Sequence, residues 1–130
     1  MYLHKRLYQP FLEKFAKKCN DVQWKGTPWP ATLDAKAVDK SYLWGPLQNR
    51  AHFARIIEGI EKAKKEGSKV LCGAEYSNAD KEGFFIRPTA FYDVEDNDYI
   101  CREEVFGPVL SICQPYYLHQ YVKFERLIER

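Results

Sequence analysis

The chain has 130 residues, 45% hydrophobic and 15% aromatic, enough apolar material for one domain-sized core and too much for a disordered polymer. Its 20 basic and 18 acidic side chains leave a formal net charge of +2, which supplies no overall field for nucleic acid or an anionic membrane. No stretch approaches the roughly 20 apolar residues of a membrane span, and Met1-Tyr2-Leu3-His4-Lys5-Arg6 opens no signal-peptide core; a cytoplasmic protein is expected.

Leu3, Leu7, Phe11 and Phe15 recur at a helical spacing, with Tyr8 and Leu12 beside them, and predict an amphipathic helix. Pro10 has no N–H for the carbonyl a turn back, so the helix is expected to begin within a turn of it or to kink there. Between Asp21 and Gly45 no period survives Gly26, Pro28 and Pro30, and a long loop is predicted that exposes Trp24, Trp29 and Trp44. Phe53, Ile56, Ile57, Ile60 and Ala63 then line one face of a second helix, capped by Asn49 and stopped by Gly67. Gly59 inside that helix points to close packing against a neighbour.

A strand is predicted over Lys69–Cys72, ended by Gly73, and a polar loop follows. The next apolar run, 84–92, reads as a strand whose Pro88 argues for an edge position or a bulge. Glu95-Asp96-Asn97-Asp98 is an acidic turn. A third strand is predicted over 109–113, and Tyr117, Tyr121, Phe124 and Ile128 give a short closing helix. Helix, helix, then strands and a helix make an α/β or α+β arrangement.

The cysteines at 19, 72, 101 and 113 have no C-x-x-C spacing, and His4, His52 and His119 do not cluster with them. No metal site is expected, and reduced thiols are. Cys19 after Lys17-Lys18 and Cys101 beside Arg102 have basic neighbours that would favour a thiolate. No histidine or acid is positioned by sequence to assist either, so both read as ordinary thiols.

Four blocks, in order, resemble the catalytic domain of the aldehyde dehydrogenase superfamily. They are Leu7-Tyr8-Gln9-Pro10-Phe11; Gly45-Pro46-Leu47 with the helix after it and Glu66-Gly67-Ser68-Lys69-Val70-Leu71-Cys72-Gly73; Gly83-Phe84-Phe85-Ile86-Arg87-Pro88-Thr89-Ala90-Phe91; and Glu103-Glu104-Val105-Phe106-Gly107-Pro108-Val109-Leu110. The resemblance implies a partial α/β catalytic domain of about three strands with flanking helices. It takes 1–130 as a single truncated unit, with the likeness over about 3–112 and a divergent tail from 114 to 130.

That family oxidises aldehydes through a cysteine thiolate, with hydride transfer to NAD(P). By resemblance Glu104 would hold the nicotinamide ribose hydroxyls and Phe106 would pack beside the nicotinamide. Arg55 falls where a lysine near the same ribose is common, while His52 stands where a glutamine is usual. From the residues alone, Glu104 also fits a surface acid, Phe106 a core aromatic and Arg55 a solvated charge. Gly107-Pro108 reads as backbone geometry leading into a strand.

The family's nucleophile, glutamate base and oxyanion asparagine would fall ahead of Met1, and no G-x-G-x-x-G occurs among the seven glycines. No catalytic residue is therefore assigned, and aldehyde oxidation by this chain alone is not expected. Two other readings stay open. One is a repurposed isomerase, cyclase or lyase acting on a hydrophobic metabolite without nicotinamide, drawing acid–base groups from His52, Glu104, Tyr92 or Asp93. The other is an interaction module using the tryptophan loop. Expected partners are another copy or a complementing chain, or a hydrophobic small molecule, and neither nucleic acid nor membrane.

Overall fold

The structure, a computed structural model, describes residues 1–22, 24–25 and 44–114. The centre of the expected tryptophan loop, Trp29 included, and the closing helix expected from Tyr117 to Ile128 lie outside the described residues.

The first three residues run extended rather than helical. Cys113 N–H donates to the Met1 carbonyl at 2.8 Å and Leu3 N–H to the Cys113 carbonyl at 3.1 Å, which makes a parallel bridge between Tyr2 and Cys113. Helix α1 follows, Lys5–Asp21, with His4 as N-cap: its ring Nδ1 accepts from Arg6 N–H at 3.2 Å. The helix continues through Pro10 instead of starting beside it. Arg6 and Pro10 are both exposed, so water can serve the Arg6 carbonyl that the proline leaves without a donor.

Tyr8, Leu12 and Cys19 form the buried face of α1. The expected row is shifted, since Leu7 is 61% exposed and Phe11 and Phe15 are half-buried at the shoulder.

Helix α2, Arg50–Lys65, has both predicted ends. The Asn49 side chain accepts from His52 N–H at 2.8 Å. At the far end Gly67 N–H reaches the Lys64 carbonyl at 3.1 Å and Ser68 N–H the Ala63 carbonyl at 3.0 Å, a Schellman closure. Its apolar stripe, Phe53, Ile56, Ile60 and Ala63, is buried.

Strand β1 is Lys69–Cys72, β2 Thr89–Tyr92 and β3 Val109–Ile112. They form one three-stranded sheet in the order β1-β2-β3. β1 and β2 are antiparallel, with a bulge between Val70 and Cys72; β2 and β3 are parallel, Thr89 opposite Val109 and Tyr92 opposite Ile112.

The strand expected over 84–92 is therefore shorter, and it lies at the centre of the sheet, not its edge. Pro88 sits just ahead of it, where no ladder N–H is needed, and the first donor is Thr89 N–H to the Pro108 carbonyl at 2.8 Å. The bulge is on the partner strand. Gly73 lets the two strands close up: it has φ 77°, and a Cβ there would lie 2.1 Å from the Pro88 carbonyl oxygen.

The sheet separates two apolar layers. Ala90 and Ile112 pack with Tyr8, Leu12, Cys19 and Cys72 on the α1 side. Phe91 and Cys113 pack with Phe53, Ile56 and Ile60 of α2 on the other. Successive residues of β2 and β3 thus point to opposite faces, and both faces are covered. The architecture is the expected one, a partial α/β unit of three strands with flanking helices. One element was not foreseen: the acidic turn leads into a short helix α3, Tyr99–Arg102. Among the described residues no helix is long and apolar enough to cross a membrane.

Candidate functional site

The segment after α3 is held by one stripe of α2. Its first residue, Glu103, closes α3 by donating N–H to the Tyr99 carbonyl at 2.9 Å. Val105 then lies against Gly59, whose added Cβ would come 3.1 Å from Val105 Cγ2. This is the close neighbour that Gly59 foretold. Gly107 lies against Ile56, where a Cβ would sit 2.4 Å from Cδ1. Gly107 does not have positive φ, so it is the space taken by Ile56, rather than backbone freedom, that requires glycine. Between the two, the Phe106 carbonyl accepts from His52 Nε2 at 2.5 Å, which fixes the protonated nitrogen of that ring. His52, Ile56 and Gly59 follow the i, i+4, i+7 pattern of a helix face.

Held this way, the segment walls an open cavity of about 800 Å³ with His52, Cys101, Glu104, Phe106, Val109 and Ser111 in its lining. Phe106 is 72% exposed, so it is not a core aromatic. Glu104 is exposed too, and among the described residues no hydrogen bond or ion pair engages its carboxylate. Arg55 is an exposed residue of α2 and lies outside the cavity's lining. Of the three residues singled out in the sequence, two meet at this cavity and Arg55 does not.

Ser111 was not singled out, and Cys101 was considered only as an ordinary thiol beside Arg102. Strand alternation from Val109 carried the signal for Ser111, whose hydroxyl donates to the Ile100 carbonyl at 2.8 Å. Cys101 is placed by the unforeseen helix α3.

None of the four cysteines is disulfide-bonded. Burial, then a hydrogen bond with Cys19, pushes the Cys72 thiol up to about 12. Cys101 and Cys113 pair at 3.6 Å. The bond to Cys113, and burial, raise the Cys101 thiol, while the same bond lowers Cys113.

The other acid–base groups considered do not converge. Tyr92 packs on the α1 side of the sheet. Asp93 is engaged there by Tyr8 at 2.8 Å and Lys69 at 3.1 Å. A second groove, about 420 Å³, runs along α1 past Leu3, Leu7, Pro10, Phe11 and Phe15, and its described lining holds neither carboxylate nor imidazole. The expected exposed tryptophans are half-buried where described: Trp44 Nε1 donates to the Ile86 carbonyl at 2.8 Å, and Lys25 Nζ lies 4.8 Å from the centre of the Trp24 ring.

The sequence profile of the aldehyde dehydrogenase family matches residues 1–124. The chain belongs to the aldehyde dehydrogenase family. The betaine aldehyde dehydrogenase of Brucella anthropi is 36% identical over 117 residues, covering 88% of this chain and 22% of that protein. The mitochondrial aldehyde dehydrogenase X of Bos taurus is 37% identical over 129 residues, 99% of this chain and 22% of that one.

Among solved structures, an aldehyde dehydrogenase from Bacillus cereus in complex with NAD+ superposes with a TM-score of 0.75 at 28% identity, over 94% of this chain and 22% of its own. The lactaldehyde dehydrogenase of Escherichia coli gives a TM-score of 0.75 at 28% identity, over 94% and 23%. This aldehyde dehydrogenase-family chain thus spans about a fifth of the length of the relatives it matches.

Proposed function

We propose that this chain supplies the nicotinamide-ribose side of an aldehyde dehydrogenase catalytic unit, and that these 130 residues do not oxidise aldehydes by themselves. The observation that carries the reading is the Glu104 carboxylate, unengaged among the described residues, beside the exposed Phe106 ring on an open cavity. The pair suits a nicotinamide nucleoside. Two adjacent ribose hydroxyls can both donate to one carboxylate, and an aromatic side chain offers a flat apolar wall to the base.

Bound there, NAD(P) would supply the hydride acceptor of the family's chemistry. The chain's part would be to hold and orient it. Glu104 would fix the ribose, Phe106 would limit the tilt of the ring, and His52 would keep Phe106 in place through its carbonyl. Arg55, outside the lining, would reach a bound ribose only from the solvent side.

Oxidation also needs a thiolate poised to attack the carbonyl carbon. Cys72 and Cys101 hold their protons tightly, and Cys19 and Cys113 are buried in the two apolar layers. The nucleophile would therefore come from elsewhere in the catalytic unit, or from a complementing chain. Free thiols suit the cytoplasm.

The test is thermal denaturation and calorimetry with NAD+ and NADP+. One of the two cofactors is expected to raise the melting temperature, and Glu104→Gln to weaken its binding about tenfold or more, as loss of a charged acceptor from two hydroxyls implies. No stabilisation by either cofactor at millimolar concentration removes the binding claim. Nicotinamide reduction by the purified chain with a simple aldehyde removes the other half.

A further inference from the structure

We propose that Cys101 and Cys113 form a peroxide-driven disulfide clasp around the segment that carries Glu104 and Phe106. Their sulfurs are already 3.6 Å apart, on residues 12 positions apart in the chain. One lies within α3 and the other directly follows β3, so the link joins two separate elements. A disulfide needs about 2 Å between sulfurs, which leaves an approach of roughly 1.5 Å. Everything from Arg102 to Ile112 lies inside the closed loop.

The surroundings suit oxidation of this pair before the others. Cys101 is part of the wall of the open cavity, so a small oxidant in solvent reaches it. Cys113 is 3% exposed and backs onto the α2 core, which shields it from everything except its neighbour. The two thiols share a proton as a unit, because a thiolate on Cys113 keeps the Cys101 S–H bond. The proton rests on Cys101, and its transfer along that bond to the Cys113 thiolate frees the sulfur that meets solvent.

The chemistry balances with hydrogen peroxide as oxidant. The Cys101 thiolate attacks one peroxide oxygen, an S–O bond forms, the O–O bond breaks, and hydroxide leaves and is protonated to water. The Cys113 thiol then attacks the sulfenic sulfur. The S–S bond forms, the S–O bond breaks, and the departing hydroxyl takes the second thiol's proton as water. Two thiols and one peroxide give one disulfide and two waters.

The clasp does not depend on the cavity being a nicotinamide site. If it is one, oxidation fixes the loop that presents Glu104.

Trypsin separates the two residues at Arg102, on peptides 82–102 and 103–123. After peroxide treatment of the folded chain and alkylation of remaining thiols, mass spectrometry is expected to find these peptides joined as the dominant disulfide. The species should be reversed by a thiol reductant, absent from Cys101→Ser and Cys113→Ser, and retained in Cys19→Ser. Wild-type protein oxidised in denaturant should scatter its links over all four cysteines, which covers the case of a serine variant that does not fold. Amide exchange over 103–108 should slow several-fold in the oxidised chain.

The proposal is overturned if the folded chain links Cys101 or Cys113 mainly to Cys19 or Cys72. It is overturned equally if the two end as separate sulfinic acids or stay alkylatable at peroxide doses that oxidise the others. A link that forms without slowing exchange overturns the clasp.

Discussion

A single tyrosine couples the first helix to the end of the central strand. The Tyr8 hydroxyl donates to Asp93 Oδ1 and accepts Asp93 N–H, both at 2.8 Å, and Asp93 is held at φ 52°, where a non-glycine residue rarely rests. Burial raises the phenol first; the amide it accepts pulls it down, the carboxylate it donates to raises it again, and the result is about 12. Tyr8→Phe leaves that amide without an acceptor and is expected to cost about 1–3 kcal/mol in a denaturant titration. The sign of the pH effect follows from proton retention. Tyr8 and Cys72 keep their protons in the fold up to about 12, whereas the unfolded chain releases them near 10 and 9. The contribution of these two groups to stability is therefore complete below about pH 9 and is lost as pH rises towards 12. In Tyr8→Phe the loss between pH 10 and 12 should be shallower; equal slopes would show that the phenol is not the titrating group. Little of this pairing was legible, because Tyr8 and Asp93 are 85 residues apart and neither carries a local mark of the other.

Helix α2 was the most legible element, since its stripe, N-cap and C-terminal glycine are local signals that agree with one another. Asn49→Ala removes the side-chain acceptor of His52 N–H and is expected to cost about 1 kcal/mol in the same titration. It should also loosen the Phe106 carbonyl contact, because His52 is in the first turn. A loss of stability without faster amide exchange at Phe106 and Gly107 would separate the cap from the cavity wall. The central strand was less legible. The run 84–92 is continuously apolar, and such a run does not reveal where pairing begins. Its length was set by what lies across from it: Ser77 and Phe85 exchange bonds ahead of the sheet, with Phe85 N–H donating to Ser77 Oγ at 2.9 Å. Helix α1 misled in a similar way. The four-residue row was real, but the sheet covers the neighbouring row, Tyr8 and Leu12.

For the molecule as a whole, both sheet faces are covered while apolar surface remains outside. Leu7 at 61% and Phe106 at 72% exposure flank two concavities, and the α1 groove is walled almost wholly by apolar side chains. We infer from these exposed apolar side chains that the chain self-associates or captures a complementing chain. Sedimentation should find a species heavier than the monomer, and Leu7→Lys should shift it towards the monomer. A wild-type chain that stays monomeric at all concentrations with a cooperative melt would refute the interface.

The sequence alone determined the family, the α/β class, the second helix with both its ends, and the three strands in chain order. Each rests on signals within a short window: a hydrophobic period, a capping residue, or a contiguous motif such as Glu103 to Pro108. Tertiary structure alone decided that β2 is central, that Gly107 makes room for Ile56, that Phe106 faces open space rather than the core, and that Cys101 meets Cys113. Those facts depend on which surfaces are brought together from distant parts of the chain, and side-chain volume and exposure acquire values only after the layers have packed.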